Sequence, residues 1–339
     1  MHRHFFIALL FAFTPAAHPN APPTARQLAE HQSISKRCAA SAGAFTLERK
    51  KRSLAKRNAH LLPRDSNVTI HTEGPHYSKI QNETCILVPE VTEGPYYWPR
   101  SDTLRQDMRE DQAGVLLYLD IGILDINTCE PAPNVLVDLW HCNATGSYSS
   151  FEAISPDIPF GDILEQSNST WTGGSFQDLD LHSENSTWLR GMWPTDNNGV
   201  MEMTTIFPGY YIQRTVHIHL RAFKDWVVRN NGTVASSNVV HTGQIYFDEA
   251  LSSSIMEMEP YSTPREIERT TNDVDNVFLG QVDAGRGWIP TIQVEPLDGV
   301  DITNGMIGYI TLGVDMKANS TAHPSSPIGA VPSGIRSIN

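Results

Sequence analysis

His217 and His219 are separated by a single isoleucine. On a strand, side chains at i and i+2 leave the same face, so both imidazoles would project from one surface, spaced to bind a single metal ion. Pairs of this kind are common, and alone the pair reads equally well as two surface or core-edge histidines with satisfied hydrogen bonds. The neighbourhood adds to it. Tyr211 lies six residues before His217, just after the Pro208-Gly209 turn, and Tyr148 ends a Gly146-Ser147-Tyr148 run far upstream. A phenolate is a hard anionic donor. Two phenolates with two imidazoles favour Fe(III) over Zn(II) or Fe(II). For any single tyrosine the alternative is packing in the core or at its rim, with the hydroxyl hydrogen-bonded.

The elements that must position these residues read as strands. Val115 to Asp125 is one, and Asn134 to His141 is another, with Val135, Val137 and Leu139 on one face by a period of two. Val200 to Ile206, Thr215 to Phe223 and Ile307 to Val314 follow the same pattern, and Gly243 to Phe247 starts a further strand. Pro131 and Pro133, Asp196-Asn197-Asn198-Gly199 and Pro208-Gly209 are turn signals. Residues 149–187, rich in Ser, Asp, Asn and Gly, read as a long loop. No long amphipathic helix and no internal repeat is evident. With 339 residues, 40% of them hydrophobic, the chain can bury a sizeable core. The expected class is all-β, an antiparallel β-sandwich with few short helices and long loops.

Three stretches now combine. They are Thr92-Glu93-Gly94-Pro95-Tyr96-Tyr97, then Val137 through Tyr148, then Thr204 through Tyr211 running on to His217-Ile218-His219-Leu220. In this order they resemble the intradiol ring-cleavage dioxygenases, the family of catechol, hydroxyquinol and protocatechuate dioxygenases, and look most like its secreted fungal branch. The similarity spans roughly residues 85–315. The resemblance implies one non-haem Fe(III) per chain, held by Tyr148, Tyr211, His217 and His219. Tyr210 is the rival of Tyr211, and the family pattern of Pro-Gly, one variable residue, then Tyr selects Tyr211. It also implies that Arg214 lies beside the reacting ring and stabilises developing negative charge, that Gln244 lies near the metal or faces the substrate, and that Pro95 and Tyr96 line the pocket. The implied substrates are O2 and a small catecholic or phenolic molecule. The catechol would lose one proton to hydroxide and one to a displaced Tyr211, and its ring would open between the two hydroxylated carbons to a muconate-type diacid. No organic cofactor is required. The helical N-terminal domain of the intracellular relatives is missing, so a monomer and a homodimer both stay open. A related sandwich occurs in transthyretin-like secreted binding modules without catalytic metal, but such a module would not need all four ligands. A zinc hydrolase is disfavoured because two His with two Tyr make a poor zinc set.

The ends of the chain read differently from its middle. Residues 1–17, with a basic start and an apolar Phe5 to Phe13, are expected to be a signal peptide. Residues 18–57 carry Lys36-Arg37, Arg49-Lys50-Lys51-Arg52 and Lys56-Arg57 and read as a pro-segment with dibasic cleavage sites. An N-terminal arm, 58–84, precedes the catalytic sandwich at 85–315, and 316–339 reads as a disordered tail. The net charge is −13; residues 1–57 hold ten Lys/Arg and two Asp/Glu, so without them 15 basic and 36 acidic residues remain, a net −21. So acidic a surface repels nucleic acid and anionic membranes. No run reaches the roughly 18 apolar residues of a membrane span. Seven glycosylation sequons, at Asn67, Asn82, Asn143, Asn168, Asn185, Asn231 and Asn319, fit a secreted, extracellular glycoprotein, with Asn143 the one expected to be buried and unused. Of Cys38, Cys85, Cys129 and Cys142, the pairing expected is Cys85 with Cys129, each at the edge of a predicted strand, with Cys142 a buried thiol.

Overall fold

Alternation of apolar and polar residues sorts the strands into an inner and an outer face. A computed structural model describes residues 25–61, 91, 93–98, 103–166, 181–228, 234–282, 290–318 and 320–321. Among these, β1 (Leu116–Asp125), β2 (Glu130–Pro131), β5 (Val200–Ile206), β8 (Gln293–Pro296) and β9 (Met306–Val314) form one five-stranded sheet. A second is made of β3 (Leu136–Trp140), β4 (Arg190–Pro194), β6 (His217–Val228), β7 (Val234–Tyr246) and β10 (Ser320–Thr321), in the order β10-β7-β6-β3-β4. Leu117, Leu119 and Ile121 of the first sheet meet Val137, Leu139 and Ile218 of the second in one core, every one of them at most 1% exposed. Full burial of such a side chain stabilises the fold by about 1.5–3 kcal/mol.

The β-sandwich is the expected architecture, with one ladder, β1 to β9, running parallel. The Asp196 turn holds as read: its Oδ1 accepts from the N–H groups of Asn198 and Val200, and Gly199 takes the left-handed φ of +70°. Three readings are corrected. Gly243 to Tyr246 closes β7 rather than opening a strand, so most of the stretch after Leu220 is a long β6–β7 hairpin. The 149–187 loop contains a short helix, α2 (Phe160–Gln166), and two more, α3 (Glu249–Met256) and α4 (Asn276–Gln281), follow β7. Ser320 and Thr321, placed in the tail, pair with Val239 and Asn238 on β7. The signal peptide and everything after Thr321 lie outside the described residues.

The largest departure is α1 (Ala25–Leu61), a 37-residue helix packed on the outer face of β1 and β9. It covers most of the segment read as a pro-segment. Its buried stripe is Ser35, Cys38, Ala42, Thr46 and Arg49, at helical spacing. Cys38 and Ala42, with half-buried Ile34 and Phe45 beside them, are apolar, but Ser35, Thr46 and Arg49 make most of the buried stripe polar, so its hydrophobic periodicity is weak. Gly122 on β1 lets the helix come close, because a Cβ there would collide with Arg49 and Phe45. Cys38 is bonded to Cys129, which overturns the pairing of Cys129 with Cys85; Cys85 itself lies outside the described residues. Cys142 is a free buried thiol, as expected, and burial pushes its pKa up to about 12.

Candidate metal centre

On β6, Ile218, Leu220 and Ala222 point into the core, so His217, His219 and Arg221 point away from it. Ladder partners share a face. Trp140 on β3 and Gln244 on β7 flank His219, and Tyr246 flanks His217. This outer face is not exposed to solvent. Loops lay a second apolar cluster over it, including Tyr96, Trp140, Tyr148, Phe151, Ile163 and Tyr211. Two glycines allow the loops bearing the tyrosines to touch through their backbones. Gly209 donates its N–H to Asn143 O at 3.1 Å, and a Cβ on it would sit 2.5 Å from that oxygen. Gly146, at φ +92°, lies against the Tyr210 carbonyl, where a Cβ would collide.

The four residues singled out by type and spacing come together. His217 Nε2 lies 3.1 Å from His219 Nε2 and 3.2 Å from Tyr211 Oη. His217 Nδ1 faces the Thr215 carbonyl at 2.6 Å. A carbonyl only accepts, so Nδ1 carries the proton and Nε2 offers a bare lone pair. Burial holds His219 well below the ordinary imidazole range, which favours its neutral form. The Tyr148 ring lies 5.6 Å from that of Tyr211. Its buried hydroxyl makes no hydrogen bond of normal geometry among the described residues. Burial pushes Tyr148 well above 10 and Tyr211 up to about 12, although Arg214 pulls Tyr211 the other way.

This donor set fits a metal. Two nitrogens each about 2.1 Å from one ion lie roughly 3 Å apart when the ion sees them near a right angle, and the observed separation is 3.1 Å. An ion there would give the Tyr148 oxygen a partner beyond its contact with Tyr211. Tyrosine oxygens rather than carboxylates or thiolates complete the set: among the described residues no three His, Cys, Asp or Glu side chains group as a metal site. A hard cation such as Fe(III) suits two phenolates best.

Around the ligands, Trp140 stacks flat on His219 at 4.9 Å and Tyr96 stacks on Tyr148 at 4.5 Å. Tyr96 thus packs against a candidate ligand, and Pro95, also buried, precedes it. Arg214 is 2% exposed; its Nε donates to Asp275 (2.8 Å), its Nη2 to Gln244 Oε1 (2.5 Å), and its Nη1 lies 3.4 Å from Tyr211 Oη. Burial works against its charge, but Asp275 prevails and raises its pKa. Tyr210 points elsewhere, its ring beneath the Arg265 guanidinium, whereas Tyr211 Oη faces His217. His141 is a satisfied core histidine between Cys142 O and Thr205 Oγ1, and burial lowers its pKa to about 4.

The Asn143 amide is committed to its own turn, accepting from Thr145 and Ser147 and donating to Gln112, whereas Asn185 is exposed. Asn67, Asn82, Asn168, Asn231 and Asn319 lie outside the described residues. Trp140, Tyr246 and Asp275 were not singled out from sequence. Extending the period of two from Gln244 to Tyr246 finds one of them. Nothing local marks Asp275 as a partner of Arg214, 61 residues earlier.

Comparison with known proteins agrees with this geometry. A family model described as Dioxygenase matches residues 92–250. An intradiol ring-cleavage dioxygenase from Tetranychus urticae is 29% identical with a TM-score of 0.53, over 70% of this chain and 98% of its own. A second solved dioxygenase is 28% identical with a TM-score of 0.52, again over 70% and 98%. No curated protein sequence matches significantly. The matched segment contains all four ligand candidates and Arg214, and over the sandwich this chain is similar to an intradiol ring-cleavage dioxygenase.

Proposed function

We propose that the protein is an exported, ferric-iron-dependent enzyme that opens catechol-type aromatics between their two hydroxylated carbons. The observation that carries this reading is that His219 Nε2 and Tyr211 Oη each lie within 3.2 Å of His217 Nε2, beside a Tyr148 hydroxyl with no protein partner of normal geometry among the described residues. Tyr148, Tyr211, His217 and His219 would hold the ion. When bound, Fe(III) supplies a Lewis acid that lets phenols ionise near neutral pH and brings a catecholate together with O2. The protein supplies the rest. Tyr211, whose oxygen lies 3.2 Å from His217 Nε2 and 3.4 Å from Arg214 Nη1 and whose burial favours the protonated phenol, would be the group placed to take a phenolic proton from the substrate. Arg214, kept charged by Asp275, lies beside that oxygen and faces negative charge developing on the ring. Tyr96, Phe151 and Trp140 exclude water, so these interactions act at low dielectric.

The test is a visible absorption spectrum of the purified protein with metal analysis, before and after anaerobic addition of catechol. Tyrosinate bound to Fe(III) gives a broad charge-transfer band, which should shift on catechol binding, and admitting air should then consume O2. A protein that stays colourless after ferric reconstitution sinks the iron reading and leaves the metal-free binding module. Export is supported by the apolar Phe5 to Phe13 start and the Cys38–Cys129 disulfide, which belongs to an oxidising compartment. It is tested by N-terminal sequencing of protein from culture medium; material found only inside cells with Met1 intact defeats it.

A further inference from the structure

The short helix α4 (Asn276–Gln281), capped by Asp275, is tied at both ends by polar contacts to neighbouring elements. Asp275 Oδ1 caps it, accepting from the N–H groups of Val277 (2.7 Å) and Phe278 (3.0 Å). Asp275 Oδ2 faces the other way and accepts from Arg214 Nε and from the Thr215 N–H, both at 2.8 Å. One carboxylate therefore ties the helix to the loop entering β6. The ion pair is buried on both sides, at 2% and 1% exposure, so water does not weaken it.

At the far end, Gln281 Nε2 faces the Val277 carbonyl (3.1 Å) and Tyr246 Oη (2.6 Å). A carbonyl only accepts, which fixes the amide nitrogen at that position and makes Tyr246 Oη its acceptor. The Tyr246 proton is then directed at Gln244 Oε1, 2.8 Å away. Arg214 Nη2 reaches the same atom at 2.5 Å and can only donate, so that atom is the amide oxygen. Two donors hold Oε1, and Gln244 Nε2 is left without a partner among the described residues, on a side chain 1% exposed. Gln244 is the ladder neighbour of His219. A buried N–H left unpaired is costly and is retained where a ligand completes it.

We propose that Asp275 and Gln281 are positioning residues for ring cleavage: they hold the Arg214 guanidinium and turn the Gln244 amide so that Arg214 Nη1 and Gln244 Nε2 are presented to the bound substrate. The inference rests on the dioxygenase reading above. Neither residue touches the reacting atoms. Asp275 acts through Arg214, and Gln281 acts through Tyr246 and Gln244.

The experiment uses the full iron-loaded chain with Asp275→Asn and Gln281→Met. Asn caps a helix as well as Asp does, so the first variant keeps α4 and loses the charge and one acceptor. The second keeps the volume and loses the donor. Three quantities are read: kcat per bound iron, KM for catechol, and the dissociation constant of catechol from the anaerobic band shift. Asp275→Asn should lower kcat about 10- to 100-fold, and Gln281→Met about 3- to 10-fold. The anaerobic dissociation constant should stay within about threefold, because positioning acts in the transition state rather than on binding. The double variant should lose less than the product of the two, since both act through one Arg214–Gln244 pair. Unchanged kcat per iron in both variants overturns the proposal, whatever happens to melting temperature or iron content. So does a loss confined to catechol binding. Should Asp275→Asn not fold, Gln281→Met decides alone. If the wild-type chain shows neither charge-transfer band nor O2 uptake, the dioxygenase reading falls and this falls with it; an active wild type beside unaltered variants refutes the positioning role only.

Discussion

Replacing Arg49 with methionine tests whether α1 is a working layer of the protein. The Arg49 side chain is fully buried; its Nε donates to Asp120 Oδ1 (2.6 Å), its Nη1 to Thr311 Oγ1 (2.7 Å) and its Nη2 to the Ile310 carbonyl (2.9 Å). Arg49→Met keeps most of the stem and strands the Asp120 carboxylate, itself 3% exposed, without its counter-charge. Breaking one side of a buried pair costs about 3–5 kcal/mol, and at about 2–4 °C per kcal/mol the melting temperature should fall by roughly 10 °C near neutral pH. The pH dependence has a definite sign. Burial raises the Asp120 pKa above the ordinary carboxylate range, and Arg49 opposes that rise. A carboxyl whose folded pKa lies above its unfolded one contributes most below the unfolded value and loses that contribution as pH climbs through the folded one. Without Arg49 the folded pKa climbs further, so the penalty should be small in acid and grow toward neutral pH. Asp120→Asn added to Arg49→Met should recover much of it. Thermal melts of the non-reduced protein at acid and neutral pH give the answer. A variant that melts within about 2 °C of wild type at both pH values would mean that the pair stabilises little, and α1 would revert to a removable segment.

A chain cut at the dibasic sites 49–52 or 56–57 should run as one species on a gel until reduced, because Cys38 and Cys129 lie on opposite sides of the cut; separation without reductant would exclude that bridge. Tyr148→Phe should weaken the charge-transfer band of the iron-loaded protein and lower its iron content, while an unaltered spectrum would remove Tyr148 from the ligand set. Gly209→Ala should drive the Tyr211 loop off the Tyr148 loop, since its Cβ would stand 2.5 Å from Asn143 O. Metal analysis should show iron lost, and full retention would mean that the loops can part without disturbing the ligands.

Both outer faces of the sandwich are covered, and that explains what could be read from sequence and what could not. The inner faces obey a simple alternation, so Leu117, Val137, Leu139 and Ile218 declare their strands. The ligands were legible for a related reason: His217 and His219 share a face by the same period, and turns that need glycine announce the two tyrosine loops. On the outer face of the first sheet, however, Asp120, Gly122 and Thr311 look like solvent positions, and Asp120 and Thr311 are instead buried under α1 by Arg49. A polar staple between a helix and a sheet weakens the hydrophobic period on both partners, and for that reason the segment of α1 reads as a pro-segment with dibasic cleavage sites and Cys38 as part of it. The outer face of the second sheet conceals Asp275 in the same way. Its link to Arg214 spans 61 residues and depends on where α4 docks, so only the assembled fold can show it. Stability and chemistry are thereby kept on opposite sides of one core. Arg49 with Asp120 on one face, and Arg214 with Asp275 on the other, are both buried ion pairs. The first makes all its described contacts within the protein, whereas the second lies beside a Gln244 N–H that has no partner among the described residues and is there to be completed by substrate.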